Sequence, residues 1–174
     1  MSKADQHERG KVAASDGAGC DLHSPVVAKP ALSESIQDYL KAIYKLQDES
    51  GKVTVSGLAR GLSVSPASAS AMVKKLAALD LVAERNPYRG VALTGAGERV
   101  AIEVIRHHRL LELYLAETLG VAVEDVHAEA DRLEHALSEE LEARIDRALG
   151  YPTHDPHGDP IPDARLEWPA PDGR

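Results

Sequence analysis

Between Ser33 and Thr94 the sequence divides into three segments of helical period followed by two short β-type runs, an order that few folds accommodate. Ser33 is placed to cap a first helix in which Ile36, Tyr39, Leu40, Ile43 and Tyr44 keep the i, i+3, i+4 spacing, and Ser50-Gly51 ends it. Val53-Thr54-Val55 reads as a short extended piece. Ser56 reads as the cap of a second, short helix over residues 57–61, with Leu58, Ala59 and Leu62 turned inward. Ser65-Pro66 opens a third helix with a cap residue and a proline at the first helical position. Its apolar face is Ala69, Met72, Val73, Leu76 and Leu79. Residues 81–85 and 90–94 are β-type runs joined by Asn86-Pro87-Tyr88-Arg89, which has hairpin turn chemistry. Helix, short helix, helix and hairpin is the order of a winged helix-turn-helix.

The outward positions of the third helix bear on what such a unit would touch. Ser65, Pro66, Ser68 and Ser70 put small residues at its N-terminal end, and Lys74 and Lys75 follow a turn later. Small hydroxyl residues let a helix lie close to base edges, and lysines suit the flanking phosphates. Arg89 at the hairpin tip is positioned for a backbone or minor-groove contact. These seven residues form the expected DNA-reading surface, with double-stranded operator DNA as the partner. The competing reading is a three-helix domain with a hairpin that binds nothing.

Beyond Thr94 the chain reads as helical. Thr94 caps a long helix over residues 95–119 that Gly120 ends. Val100, Ala101, Val104, Ile105, Leu111, Tyr114 and Leu115 give it an apolar face broader than one small domain requires, so a homodimer is expected. A further helix is predicted over residues 123–137, and Ser138 caps a last one that reaches Leu149 and stops at Gly150. The fold class is therefore mainly α, with four parts. Residues 1–30 form an aperiodic, disordered arm, 31–94 the winged helix-turn-helix, 95–150 a helical metal-binding and dimerisation domain, and 151–174 a Pro/Gly-rich segment.

Net charge tests this division. The chain carries −8 overall, which argues against nucleic acid until it is split. Residues 1–30 are neutral, 31–99 carry +2, and 100–174 carry −10 together with most of the histidines. A mildly basic reader is thus joined to an acidic, cation-binding half. No run of apolar residues is long enough to span a membrane, and the N-terminus lacks the apolar core of a signal peptide. The one cysteine, Cys20, excludes an internal disulfide, and a cytoplasmic protein is expected.

The acidic half carries the chemistry. His127, Asp131, Glu134 and His135 stand at i, i+4, i+7 and i+8, one face of a helix, and His108 and Glu112 share a face of the preceding one. Imidazole nitrogen and carboxylate oxygen are ligands for a divalent ion, and clustered carboxylates are costly to bury unless a cation neutralises them. The plainer reading is the solvated face of an amphipathic helix.

Three runs carry a specific resemblance: Ile105-Arg-His-His-Arg-Leu-Leu-Glu112, Val126-His-Ala-Glu-Ala-Asp-Arg-Leu-Glu-His135 and His157-Gly-Asp-Pro-Ile-Pro162. From Ser33 to Pro162, about three quarters of the chain, the sequence resembles the diphtheria toxin repressor family of metal-dependent regulators, which includes manganese transport regulators. The resemblance implies a primary, activating site of Asp38, Asp131, Glu134 and His135. It implies a second site of His108, Glu112 and His127, or one in which Glu112 is completed by Asp155 and His157; the sequence does not choose. Iron-type relatives carry methionine and cysteine at the positions of Asp38 and Asp131. Manganese-type relatives carry glutamate at the position of Asp131 and a further glutamate where this chain has Lys41, which puts a binuclear arrangement in doubt. The all-oxygen-plus-imidazole set favours Mn(II) or Fe(II). Twelve residues follow Pro162, so the SH3-like domain of many relatives is not expected.

The implied function is a metal-dependent transcriptional regulator, a repressor of metal-uptake genes. In the implied mechanism Asp38, Asp131 and Glu134 repel one another without metal and let the first helix swing. A bound ion converts the repulsion into a clamp that spaces two recognition helices about one DNA turn, ~34 Å, apart. A winged-helix regulator that senses no metal is the alternative. A carboxylate-bridged di-iron enzyme would need two Glu-x-x-His motifs where only Glu124-x-x-His127 occurs, and no nucleophile constellation is visible, so no enzyme is expected.

Overall fold

A computed structural model describes residues 32–83 and 90–170. Within them lie α1 (Glu34–Ser50), α2 (Val55–Gly61), α3 (Pro66–Ala78), α4 (Gly95–Leu119), α5 (Val126–Leu133) and α6 (Glu139–Ala148). The fold is mainly α, as the periodicity predicts.

Local chemistry explains most of the boundaries. Gly51 ends α1 in the left-handed conformation, its N–H donating to Gln47. The cap of α2 is Thr54, not Ser56: Thr54 is extended, its hydroxyl accepts from the Gly57 N–H at 3.0 Å, and the helix begins two residues earlier than the sequence suggests. Ser65 caps α3 by accepting from Ser68 N–H at 3.1 Å, with Pro66 in the first helical position. Leu79 caps the C-terminal end of α3 and is 47% exposed, so the inward face is Ala69, Val73 and Leu76, with Met72 partly buried beside them. Thr94 caps α4 through Gly97 N–H, and Gly120 closes it with left-handed backbone.

The two expected β-type runs are reduced to isolated bridges among the described residues. Ala83 N–H donates to Ala92 at 2.9 Å and Thr94 N–H to Leu81 at 3.1 Å, and Val91 N–H donates to Val53 on the other side. Gly90 is required there, because a Cβ would lie 2.2 Å from the Val53 carbonyl oxygen. Residues 84–89, with the hairpin tip and Arg89, lie outside the described residues.

The helix expected over residues 123–137 is shorter at both ends. Asp125 N–H turns back to Ala122, so α5 starts only at Val126. At the other end Ala136 N–H bonds Leu133, a tightened turn that leaves Glu134 as the C-cap and His135 beyond the helix.

Two apolar clusters result. The first joins α1, α2, α3 and the bridged segments around Leu40, Ile43, Leu58, Leu76 and Val91, and the second joins Leu110, Leu111, Leu113, Ala130, Ile145 and Ile161. Helix α4 runs through both. Ala101, Val104, Ile105, Leu111 and Leu115 are buried within the chain itself. The face that implied a partner is therefore not in surplus, and the large apolar side chains left exposed in this half are Leu119, Val123, Leu133 and Leu141. No described helix is long and apolar enough to cross a membrane.

A polar network fixes α6 to α4. Arg106, 2% exposed, donates to Glu142, to Asp146 at 2.8 Å and to the Pro162 carbonyl, while His107 Nε2 lies 2.9 Å from Glu142. Burial pushes the Glu142 carboxyl up, but the bonds from His107 and Arg106 outweigh it and hold it below its ordinary 4.5. Its stabilising effect is therefore complete above pH 4.5 and lost as pH falls through the lowered value. Removing one partner of a buried ion pair costs roughly 3–5 kcal/mol, so Glu142→Gln is expected to lower stability at pH 7 by about that much. Thermal melts of the metal-free protein should also show the gap between wild type and variant narrowing below pH 4.5. A constant gap down to the lowest pH would contradict the assignment.

Candidate metal centre

The ligand-type residues come from α4, α5 and the C-terminal segment, and from one helix of the reading half. Asp38 stands on the second turn of α1, His108 and Glu112 on one face of α4, and His127 and Asp131 on one face of α5. Glu134 and His135 close α5, and Asp155 and His157 lie in a turn of the C-terminal segment where Asp155 accepts from the N–H groups of His157 and Asp159.

The structure sorts these nine residues into three triads, each with ligand atoms within 4.8 Å of one another: Asp38, Glu134 and His135; His108, His127 and Asp131; Glu112, Asp155 and His157. Such spacing lets three donors reach one ion at about 2.0–2.4 Å. Asp131 thus falls with His108 and His127 rather than beside Asp38. Glu112 stands between two neighbours: one carboxylate oxygen is 2.9 Å from His127 Nδ1 and 3.0 Å from His108 Nε2, and the other is 3.6 Å from His157 Nδ1. Both second sites left open by the sequence therefore remain within reach of one carboxylate.

Electrostatics binds the triads into one cluster. Glu134, 1% exposed, holds His108 Nδ1 at 2.6 Å, and its other oxygen lies 3.5 Å from His135 Nε2. His135 Nε2 is 2.9 Å from Asp38. Burial is the largest effect on Asp38 and leaves its carboxyl raised despite His135. Burial also acts on Glu112, but hydrogen bonds from His108 and His127 outweigh it and bring that carboxyl down to about 2. For His108, burial favours the neutral ring, yet the bonds to Glu112 and Glu134 prevail and raise its pKa. The donor set is carboxylate oxygen and imidazole nitrogen throughout, which fits a hard or borderline divalent ion such as Mn(II) or Fe(II).

Two residues matter more than the sequence suggests. Gln37 Nε2 donates to the Leu32 carbonyl, which turns Gln37 Oε1 toward His135 Nδ1 at 2.7 Å. The ring then directs Nε2 at the triad, the outer support a metal-binding imidazole needs. No spacing rule singles out Gln37, because its role depends on a contact between residues far apart in the chain. The second is Lys41, noted in the sequence only as a departure. Its ammonium lies 2.7 and 2.9 Å from the Glu134 oxygens, 3.1 Å from Asp131 and 3.2 Å from His108 Nδ1. The expectation that Asp38, Asp131 and Glu134 simply repel one another without metal is corrected by this contact, since a cation from α1 already stands between two of them.

On the reading half, Ser65, Pro66, Ser68, Lys74 and Lys75 are exposed on α3 and Ser70 is half-buried. Ser65 and Ser68 bond each other at 2.8 Å while the Ser65 hydroxyl also caps the helix, so part of their hydroxyl capacity is already used.

Residues 31–91 match the family described as iron dependent repressor, N-terminal DNA binding domain, and residues 94–163 that described as iron dependent repressor, metal binding and dimerisation domain. The chain is similar to the iron-dependent repressor IdeR of Mycobacterium tuberculosis, 37% identical over 131 residues that cover 75% of this chain and 56% of that one. It spans, then, little more than half the length of the first such relatives. The HTH-type transcriptional regulator MntR of Geobacillus kaustophilus is 37% identical over 67% of this chain and 82% of its own length. Among solved structures, a manganese-dependent transcriptional repressor in complex with manganese is 46% identical, with a TM-score of 0.72 over 80% of this chain and 64% of that one.

Gln37→Leu tests the imidazole support directly. The loss of an outer-shell partner typically lowers metal affinity about 10- to 100-fold, and a drop of that size is expected in calorimetric titration with Mn(II). Unchanged affinity would show that Gln37 does not orient His135.

Proposed function

The chain belongs to the iron-dependent repressor family, and on that premise we propose that it is a DNA-binding transcriptional regulator that Mn(II) or Fe(II) activates. The observation that carries this reading is the meeting of Asp38, from the reading half, with Glu134 and His135 of the acidic half in one ligand triad. An ion held there ties α1 to the end of α5. The proposed second site is Glu112, Asp155 and His157, because the Lys41 ammonium lies 3.2 Å from His108 on the other side, whereas Arg109 approaches Asp155 of the third triad only to 3.8 Å.

In the proposed mechanism the chain acts as a cytoplasmic homodimer, with residues 31–94 reading operator DNA and residues 95–150 forming the metal-binding and dimerisation part. The exposed Leu119, Val123, Leu133 and Leu141 supply apolar surface in that part, and the two matched family descriptions support the division. Ser65, Pro66, Ser68 and Ser70 face the bases at the N-terminal end of α3, Lys74 and Lys75 meet phosphates, and Arg89 contacts the backbone or minor groove. When bound, the ion supplies positive charge between Asp38 and Glu134. Asp38 and His135 then hold α1 at a fixed angle to α4 and α5. Metal and operator favour the same arrangement and so strengthen each other's binding. Repression of metal-uptake genes is the role this arrangement serves. No enzymatic step is assigned to it.

Lys41 gives one reason to keep a second reading in view. Its contacts with Asp131 and Glu134 themselves join α1 to α5, so a winged-helix regulator indifferent to metal is the alternative.

Operator fragments selected from random DNA separate the two. With Mn(II) or Fe(II) added anaerobically, operator affinity should rise roughly 5- to 150-fold, and chelator should reverse it. Asp38→Ala and His135→Ala should bring that ratio close to one while circular dichroism stays unchanged. Replacing Lys74 and Lys75 together by Ala should weaken all sequences alike and lower the salt slope by about 2. Binding that ignores chelator would favour the metal-indifferent reading.

A further inference from the structure

We propose that Lys41 is a tethered cation belonging to the metal centre. It stands in for one ion and limits the joined triads of Asp38, Glu134, His135 and His108, His127, Asp131 to a single divalent ion. This rests on the metal-dependent reading above and goes beyond it by fixing how many ions the centre takes and why.

The geometry puts the ammonium at the junction of the two triads. Lys41 enters from α1 and is 9% exposed, so its charge is not spent on solvent. It contacts both oxygens of Glu134 at 2.7 and 2.9 Å, which is the ligand of the first triad. It also contacts Asp131 at 3.1 Å and His108 Nδ1 at 3.2 Å, which are ligands of the second. An ion bridging Glu134 and Asp131 would need to sit about 2.0–2.4 Å from an oxygen of each, in the space the ammonium fills. One bound through His108 Nδ1 and Asp131 would lie against the same charge with little water between to screen it.

The positions that remain open are unequal. On the Asp38 side, Glu134 Oε1 lies 3.5 Å from His135 Nε2, which in turn lies 2.9 Å from Asp38, and the Asp38 side chain is half-exposed. An ion can join those three while Lys41 keeps its contact with Glu134 Oε2 and Asp131. The cluster then holds one divalent ion and one fixed ammonium in place of two divalent ions. A covalently attached cation cannot be removed by chelation. Asp131 and Glu134 are therefore partly neutralised at all metal concentrations, and α1 stays near α5 between metal-binding events.

Counting ions decides the matter. His157, which is exposed, is first changed to Ala so that the Glu112 triad drops out of the count. Chelator-treated His157→Ala protein is then equilibrated with Mn(II), and bound metal is measured by equilibrium dialysis with elemental analysis. One ion per chain is expected; two overturn the proposal while leaving the metal-dependent reading intact, and no binding at all overturns both. Adding Lys41→Met, whose thioether Mn(II) accepts poorly, should raise the count to two, whereas Lys41→Arg should keep it at one. A count of one for a folded Lys41→Met protein overturns the proposal. Should that variant fail to fold without metal, the count for His157→Ala alone still decides. The metal-free melting temperature gives a readout independent of loading. Lys41→Met should lower it and Lys41→Arg should not, and an equal fall for both would point to packing in place of charge and overturn the proposal.

Discussion

The structure turns on the burial of two carboxylates, Glu112 and Glu134, which are 3% and 1% exposed. An ionised carboxylate out of water is tolerated only when hydrogen bonds and opposite charge replace its hydration. Around Glu112 this is done by His108 and His127, and around Glu134 by His108 and Lys41. His108 serves both, one ring nitrogen to each, so the two acids and the imidazole between them form a rod of polar contacts along α4. The placement of α1 and α5 follows from it. Lys41 must lie deep enough to meet Glu134, and that depth brings Asp38, one helical turn earlier, to His135.

The same requirement explains why the cluster suits a cation without collapsing for want of one. Histidines shared between carboxylates can hold a proton, and the raised His108 and lowered Glu112 pKa values follow from the hydrogen bonds between them, which outweigh burial. Protons and divalent ions then compete for the same lone pairs. The difference between the two lies in Asp38. This carboxyl is raised by burial and makes its close contact with His135, whereas an ion in its triad would bind it to Glu134 as well. On the proposed assignment of that triad, the free energy that metal adds is concentrated at the contact between the reading half and the acidic half.

Much of this was legible in the sequence, and the failures share a cause. Caps and periods placed α1, α3 and α4 nearly to the residue, because Ser65-Pro66, Thr94, Gly51 and Gly120 act on neighbouring backbone. The stripe His127, Asp131, Glu134, His135 was visible as a ligand set, though the helix carrying it ends at Leu133 and the turn after it moves His135 toward α1. What the sequence could not supply were contacts across long separations. Lys41 lies 90 and 93 positions from Asp131 and Glu134, and Gln37 lies 98 from His135. Read alone, a lysine among carboxylate ligands looked like a defect in the site. The apolar face of α4 misled in the opposite way, since Ile161 and the helices α5 and α6 already cover residues that seemed to need a second chain.

The C-terminal segment adds a second tie between the halves. Asp155 and His157, with Glu112, form the third triad, and the chain then continues past Ile161 to Trp168. The Trp168 ring stacks on Tyr44 of α1 at 6.1 Å and donates Nε1–H to its hydroxyl at 3.0 Å, and the Arg109 guanidinium lies 5.5 Å over it. Arg109 also meets the Pro160 carbonyl and lies 3.8 Å from Asp155. An ordered third triad therefore restrains Arg109 and Trp168, and through them Tyr44, one helical turn beyond Lys41 on α1. Helix α1 is gripped at two places by two different chemistries: ionic at the triads, aromatic at Tyr44. The stacking of Tyr44 on Trp168 is itself uncharged, so it sets a baseline orientation for α1. The ionic grip, whose strength depends on which cation is present, can shift α1 only against that baseline. Helix α1 packs with α3 in the same apolar cluster, so the orientation of α1 bears directly on the reading helix.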